Sequence, residues 1–129
     1  YYRNYSSKED ILNQYMNEVG RNVHNVLEKS GSRNNLYQYF LLLLKSLGEH
    51  SDIGIAAYKA NLGNLILSHL NKYMFMTFSS KEDSVKERYK LFSCAGAFYN
   101  IFIEWIKNGQ QESCEQMAEW CCEYIAMPS

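Results

Sequence analysis

The sequence has very few residues that interrupt a helix. Proline occurs once, at Pro128, so every earlier position keeps a backbone N–H and none carries a ring that clashes with the preceding turn. Glycine is also scarce, with seven copies in 129 residues. Because glycine and proline punctuate folds made of short strands and turns, their scarcity favours a few long helices. Hydrophobic residues make up 47% of the chain, which is enough for a packed core.

The chain also lacks a strong excess of charge and a long hydrophobic run. Its net charge is −1, so no broad basic surface for nucleic acid is expected. The longest apolar run, Tyr39 to Leu44, is too short to cross a bilayer, and no signal peptide is recognised. We therefore expect a cytoplasmic domain that makes no contact with a membrane.

Residues that could form a catalytic or metal centre are too scattered to do so. The three histidines have no cysteine, serine or aspartate partner at a recognisable spacing, and phosphate-loop, HExxH and nucleophile-elbow motifs are missing. The four cysteines show no CxxC spacing, and the adjacent Cys121 and Cys122 point about 100° apart on a helix. We expect reduced thiols, no metal, no cofactor and no enzymatic activity.

Apolar residues recur at three- and four-residue steps, which predicts an all-α fold of about six helices. The first helix is expected to begin at a capping box formed by Ser6 and Glu9 and to end at Gly31. The pentapeptide Ser-Ser-Lys-Glu-Asp occurs at 6–10 and again at 79–83, and both copies are expected at helix starts. The other five helices are predicted at about residues 33–47, 53–62, 63–78 after a break at Gly63, 80–108, and from a second capping box at Ser113 and Gln116 onward.

The last two predicted helices carry more apolar surface than one copy of the chain should cover. Residues 91–106 are apolar on nearly every side, and the small residues at 95–97 would let another helix approach closely. A second copy could cover the excess in a two-fold, four-helix bundle, although the helix could instead lie at the centre of a monomer. The predicted dimer interface comprises Phe92, Ala95, Gly96, Ala97, Ile103, Met117, Trp120, Cys121 and Tyr124.

Aromatic and methionine side chains along the helices could line a pocket for a small molecule, or could simply pack the core. Polar groups on otherwise apolar faces are the better indicators of a pocket, because a buried polar group needs a partner and a ligand can supply one. The candidate pocket residues are Tyr15, Met16, Phe40, Tyr58, Asn61, His69, Tyr73, Phe98, Tyr99 and Phe102.

Two segments resemble a known family. Residues 2–12, Tyr-Arg-Asn-Tyr-Ser-Ser-Lys-Glu-Asp-Ile-Leu, are similar to the segment that closes the helix-turn-helix of TetR/AcrR transcriptional regulators. The tail, with Ala-Gly-Ala at 95–97, Trp-Ile-Lys-Asn-Gly at 105–109, Ser113 and Met-Ala at 117–118, resembles the last two helices of many such regulators from Gram-positive bacteria.

The resemblance implies a TetR-like C-terminal helical bundle whose last two helices form a dimeric four-helix bundle. Residues 1–6 would be the end of the recognition helix, and 7–129 the ligand-binding and dimerisation domain. Tyr2 and Lys8 would contact DNA phosphates in an intact protein, while operator DNA would bind only through an N-terminal headpiece that is mostly absent from this sequence. The small-molecule effector would lie between the first, second, fourth and fifth helices.

By the same resemblance, the effector would change the spacing of two recognition helices held about one DNA turn apart, roughly 34–36 Å. The alternatives are a TetR-like co-regulator that acts through a protein partner without binding an operator, and an unrelated helical interaction domain or enzyme.

Overall fold

The computed structural model describes residues 7–31 and 35–125, and six α-helices with no β-strand make up the regular structure of this part of the chain. The prediction of an all-α domain of about six helices is confirmed. The expected remnant at residues 1–6 lies outside the described residues. In chain order the helices are α1 (Lys8–Ser30), α2 (Leu36–Gly48), α3 (Ser51–Lys59), α4 (Gly63–Phe78), α5 (Val85–Lys107) and α6 (Cys114–Tyr124).

The first helix has clear start and stop signals. The Ser7 hydroxyl accepts a hydrogen bond from the Asp10 backbone N–H at 3.1 Å, which satisfies one of the unpaired donors of the first turn. Ser6, which was predicted to cap this helix, lies outside the described residues. Gly31 ends α1 in the left-handed conformation, with φ of 71°, as its position after the last apolar residue predicted.

The core is built from all six helices around three phenylalanines. Phe40 of α2 stacks on Phe98 of α5 with ring centroids 5.9 Å apart, and Phe98 stacks on Phe102 at 6.2 Å. Helix α1 packs on α4 and α2, and α4 packs on α5 as well. Helix α6 packs mainly on α2 rather than on its chain neighbour α5. This arrangement leaves one side of α5 without a helix from its own chain.

The connection between α3 and α4 contains the predicted break. Asn61 takes a positive φ of 62°, and Gly63 begins α4 immediately afterwards. A Cβ atom at Gly63 would collide with the Tyr99 hydroxyl, so the glycine also allows α4 to approach α5.

The start of α5 differs from the prediction. The helix begins at Val85 rather than near 80, because Ser84 and Glu87 form a complete capping box. The second Ser-Ser-Lys-Glu-Asp copy is a turn, in which the Asp83 carboxylate accepts hydrogen bonds from the backbone N–H and hydroxyl of Ser80 at 2.9 and 3.2 Å. The expectation that both copies start helices was therefore wrong for the second one.

None of the helices in the described ranges is both long enough and apolar enough to cross a membrane.

Candidate functional site

Helices α1 and α4 meet along a line of polar side chains, which we call the α1–α4 seam (Asn13, Asn17, His24, His69, Tyr73 and Thr77). At its first end His69 Nε2 lies 2.8 Å from Asn13 Oδ1. One helical turn later the Tyr73 hydroxyl donates to Asn17 Oδ1 at 2.9 Å. Because the partner numbers rise together on both helices, α1 and α4 run in the same direction.

The middle of the seam is the point of closest approach between the two helices. Gly20 is buried there, and a Cβ atom at this position would overlap the ring of Tyr73. Beyond it, His24 Nδ1 lies 3.2 Å from the Thr77 hydroxyl. The seam thus combines hydrogen bonds at both ends with direct contact between an aromatic ring and the backbone of α1.

A small cavity of about 10 Å³ lies beside the seam, between α1, α2 and α4. A cavity needs roughly 10–15 Å³ to hold one water molecule, so this one has room for one water at most. Its walls are mainly apolar and carry no residue with a charged side chain at neutral pH. They consist of Met16, Val19, Gly20, Val23, Tyr39, Leu43, His69, Leu70, Tyr73 and Thr77.

His69, one of the residues that line this cavity, has an unused hydrogen-bonding atom. Because Asn13 offers its side-chain oxygen, His69 Nε2 carries the proton and donates, which leaves Nδ1 as a lone-pair acceptor. Nδ1 is buried and has no hydrogen-bond partner in the part of the chain that the structure describes. Burial, with a smaller effect from Lys72, lowers the pKa of His69 and favours this neutral form.

Three of the predicted pocket residues, Met16, His69 and Tyr73, come together around the seam cavity. Phe40, Phe98 and Phe102 instead form the stacked core and are at most 1% exposed. These phenylalanines do not line the seam cavity.

The remaining four predicted pocket residues are dispersed. The Tyr15 hydroxyl donates to the Ser46 carbonyl oxygen at 3.2 Å, outside the seam. Tyr58 is exposed, and Asn61 lies in the exposed α3–α4 connection. Tyr99 is half-buried and lies against Gly63.

Sequence reasoning missed Asn13, Asn17, Gly20, His24 and Thr77. A signal for the first two was available, since residues four apart share one face of a helix and these asparagines border the apolar stripe of α1. Their partners on α4 are more than 50 positions away in the chain, and no local pattern identifies them.

The predicted dimer interface divides into two groups. Ala95, Ile103, Met117 and Cys121 are 6% exposed or less, so their own chain already covers them. The others are accessible: Phe92 is 47% and Tyr124 65% exposed, and Gly96, Ala97 and Trp120 are half-buried. We call these five residues the α5–α6 face.

A groove of about 410 Å³ runs between α5 and α6 beside this face. The groove is open because α6 packs mainly against α2 and not against the second half of α5. Its walls combine aromatic and apolar side chains with two carboxylates, and they consist of Asn100, Ile101, Glu104, Trp105, Asn108, Glu112, Met117, Trp120 and Tyr124.

The first half of α5 is a further exposed apolar surface, which the sequence analysis did not single out. Val85 is 67% exposed and Tyr89 69% exposed, and with Phe92 they lie on one side of the helix. The Phe92 ring meets the Phe75 ring at a centroid distance of 4.8 Å, which anchors one end of this row to α4.

Lys8, which was predicted to contact DNA phosphate, lies in the first turn of α1. It lines a cavity of about 230 Å³ between α1 and α3, together with Ile11, Asp52 and Ile53 among others. Tyr2, the other predicted phosphate contact, lies outside the described residues.

All four cysteines are thiols without a disulfide bond. Burial raises the pKa of the Cys121 thiol to about 12 and that of Cys94 in the same direction. Within residues 7–31 and 35–125, no group of three or more histidine, cysteine or acidic residues is placed to hold a metal ion.

One comparison with known proteins gives a match. A model of the TetR C-terminal type, described as a transcriptional regulator C-terminal region, matches residues 34–126. Comparisons with curated proteins and with solved structures give no significant match. The matched range begins after α1 and includes α2 to α6.

Proposed function

Because the chain belongs to this TetR-type family of transcriptional regulator C-terminal regions, we propose that it is the ligand-sensing, dimerising body of a cytoplasmic regulator. Domains of this family are typically non-enzymatic. In the intact protein, binding of a small molecule would be coupled to the operator affinity of an N-terminal helix-turn-helix. One observation carries the proposal: a small cavity lies between α2, α4 and α1, the helix that would connect the headpiece to the body.

The coupling follows from the size of this cavity. Because the cavity has room for one water molecule at most, a larger ligand fits only if α1 separates from α2 and α4. Since α1 begins at Lys8, such a separation would also move the end of α1 that joins the headpiece. A ligand that binds only the opened arrangement shifts the population toward it, and couplings of this kind typically amount to about 1–3 kcal/mol.

The cavity walls indicate the chemistry of the ligand. They contain no charged residue, so a charged ligand would lose its hydration without gaining an ionic partner. His69 Nδ1 is an acceptor without a partner among the described residues, so it can receive a hydrogen bond from a ligand hydroxyl or N–H group. We therefore propose a neutral, mainly apolar effector with at least one hydrogen-bond donor.

Dimerisation is proposed through the α5–α6 face. Phe92, Trp120 and Tyr124 are the aromatic residues that a second copy would cover, and aromatic residues are enriched in the buried centres of interfaces. A two-fold axis beside α5 would hold two headpieces at a fixed separation. In that assembly, Lys8 and Tyr2 would contact DNA phosphates.

The ligand proposal is tested by a thermal-shift screen of neutral apolar compounds, followed by titration of each hit against two variants. His69→Leu removes the unpaired acceptor from the cavity wall, and we expect it to weaken binding at least tenfold. His50→Leu is the control, because His50 is exposed and lies outside the seam. Hits that bind both variants as tightly as the native protein would place the ligand site elsewhere.

A further inference from the structure

We propose that the α5–α6 groove is a socket for Tyr89 of a second copy of this chain. The proposal rests on the dimer suggested above and specifies which residues meet. In the geometry that we infer, two α5 helices cross antiparallel near Gly96, and the exposed first half of each α5 covers the groove of the other copy.

The exposed row on α5 needs a partner. Tyr89 and Val85 are among the most exposed large hydrophobic residues in the described part of the chain, at 69% and 67%. They stand on the same side of α5 as Phe92 and Gly96, since steps of three, four and seven residues return to one helix face. The row therefore leads directly into the α5–α6 face.

The distances along α5 fit a two-fold arrangement. Tyr89 precedes Gly96 by seven residues, which is about 10 Å along a helix axis. Glu104 follows Gly96 by eight residues, a similar distance, and lines the groove, whereas Ile103 is covered by its own chain. In an antiparallel pair crossing at Gly96, Tyr89 of one copy therefore faces the groove of the other. Space is available at the crossing, because nothing lies within 4 Å of a Cβ atom placed on Gly96.

The groove has a size and lining that suit a tyrosine. Its volume of about 410 Å³ is larger than one aromatic side chain, so it can take Tyr89 and part of a neighbouring residue. Ile101, Trp105 and Trp120 offer apolar walls, while Asn100 and Glu104 offer polar atoms for a phenol hydroxyl.

The charges around the two surfaces are opposite. Beside Tyr89, the helix carries Lys86, Arg88 and Lys90 with one acidic residue among them. The groove walls contain Glu104 and Glu112 and no basic residue, although Lys107 lies 3.8 Å from Glu104 beside the groove. In the antiparallel pair each basic segment approaches an acidic groove, and like charges stay apart. This complementarity favours a second copy of the same chain as the occupant, because each copy supplies both halves.

The contact itself is tested with a photo-crosslinking amino acid at position 89 in the full chain. Copies labelled with ¹⁵N are mixed with unlabelled copies before irradiation, so that crosslinks between copies carry both isotopes. We expect mixed-isotope crosslinks between position 89 and the peptides containing residues 100–105 or 117–124. Mixed crosslinks to other peptides, or crosslinks confined to one copy, would overturn the assignment.

The contribution of Tyr89 is tested by Tyr89→Ala, which should weaken the dimer at least tenfold in sedimentation experiments. Val26→Ala on α1 is the matched control, since Val26 is 46% exposed and lies outside the row. A Tyr89→Ala dimer as tight as the native one would also overturn the proposal.

The register is tested by exchanging the charges. Arg88→Glu with Lys90→Glu makes the helix segment acidic, and Glu104→Lys with Glu112→Lys makes the groove basic. Each variant alone should dimerise at least tenfold more weakly, and an equal mixture should recover a heterodimer close to native affinity. Circular dichroism checks that both variants are folded. Folded variants that dimerise like the native chain, or that fail to recover when mixed, would refute the pairing.

These results separate the two proposals. A native dimer whose crosslinks lie elsewhere removes only the Tyr89 socket and leaves ligand sensing and dimerisation in place. A chain that remains monomeric at every concentration removes both the socket and the dimer.

Discussion

Adding a single methyl group at Gly20 should separate α1 from α4. The alanine Cβ atom would overlap the Tyr73 ring, which is 7% exposed. Because the ring must move, its hydroxyl would leave Asn17 Oδ1, which now lies 2.9 Å away. The glycine is therefore required by packing, although alanine is the better helix former.

The expected free-energy change is a sum of opposing terms. Alanine in place of glycine inside a helix gains about 1 kcal/mol. Loss of the hydrogen bond costs about 1 kcal/mol, and forcing an extra methyl group into a packed interface costs about 1–3 kcal/mol. We therefore expect Gly20→Ala to lower the free energy of unfolding by about 1–3 kcal/mol. In a chain of this length, this corresponds to a fall in Tm of roughly 4–10 °C.

The change is measured by urea unfolding followed by circular dichroism. Repeating the measurement at several protein concentrations separates the stability of the subunit from the contribution of dimerisation, which depends on concentration. Gly96→Ala is the matched control for the single subunit, because its methyl group meets no atom of its own chain within 4 Å. Since Gly96 lies at the proposed dimer crossing, the control is read at concentrations where the chain is monomeric, and there it should raise stability by about 0.5–1 kcal/mol. In a Tyr73→Ala background the obstacle is gone, so Gly20→Ala should become stabilising. A Gly20→Ala protein at least as stable as the native one would refute the close packing of α1 on α4.

Three further predictions concern single residues. Burial lowers the pKa of His69, so the unfolded chain takes up this proton at a higher pH than the folded chain. The stability that neutral His69 contributes is therefore complete above pH 6.5 and is lost as the pH falls through the lowered folded-state pKa. His69→Gln should flatten the fall of stability in urea titrations between about pH 7 and 5, and an unchanged slope would contradict this prediction. Cys121, with a pKa raised to about 12, should react with iodoacetamide at pH 8 only as fast as the protein unfolds, and rapid labelling of the native protein in mass spectrometry would contradict its burial. Ser84→Ala removes the cap of α5 and should lower the free energy of unfolding in urea by about 1 kcal/mol. Lys81→Ala in the preceding turn is the control and should change it by less than about 0.5 kcal/mol. Equal effects of the two substitutions would mean that α5 does not begin at Ser84.

The two Ser-Ser-Lys-Glu-Asp copies show what local sequence can and cannot predict. In the first copy, Ser7 caps a helix whose apolar stripe begins at once with Leu12 and Met16. The second copy is followed by a stronger helix start, since the Ser84 and Glu87 side chains each accept a hydrogen bond from the other residue's backbone N–H. Helix number and approximate position were thus predictable from periodicity, while the boundary depended on the better of two overlapping caps.

The candidate site was less predictable because it depends on which helices become neighbours. From the sequence, Phe40 and Phe98 could equally be core residues or pocket residues. Their stacking on each other, with ring centroids 5.9 Å apart, shows that they are core residues. His69 was identified as a buried polar group, but its partner Asn13 lies 56 positions earlier.

For the same reason, the sequence predicted only in part which residues of the proposed dimer face are accessible. Phe92, Trp120 and Tyr124 remain accessible, whereas Ile103 is covered by its own chain. The periodicity of α6 defines an apolar side but does not say that this side turns to α2 instead of α5. The packing of α6 on α2 leaves the α5–α6 groove open.

The close contact between Gly20 and Tyr73 is a point about which α1 could pivot on α4. The helix is 23 residues long and contains no proline, so it can tilt as one rod. From Gly20, Asn13 lies about 10 Å along the axis and Lys8 about 18 Å. Lifting α1 by about 1 Å at Asn13 would therefore displace its first turn by nearly twice that distance, about 2 Å, so an effector bound as proposed would need to part the helices only slightly to move the first turn of α1.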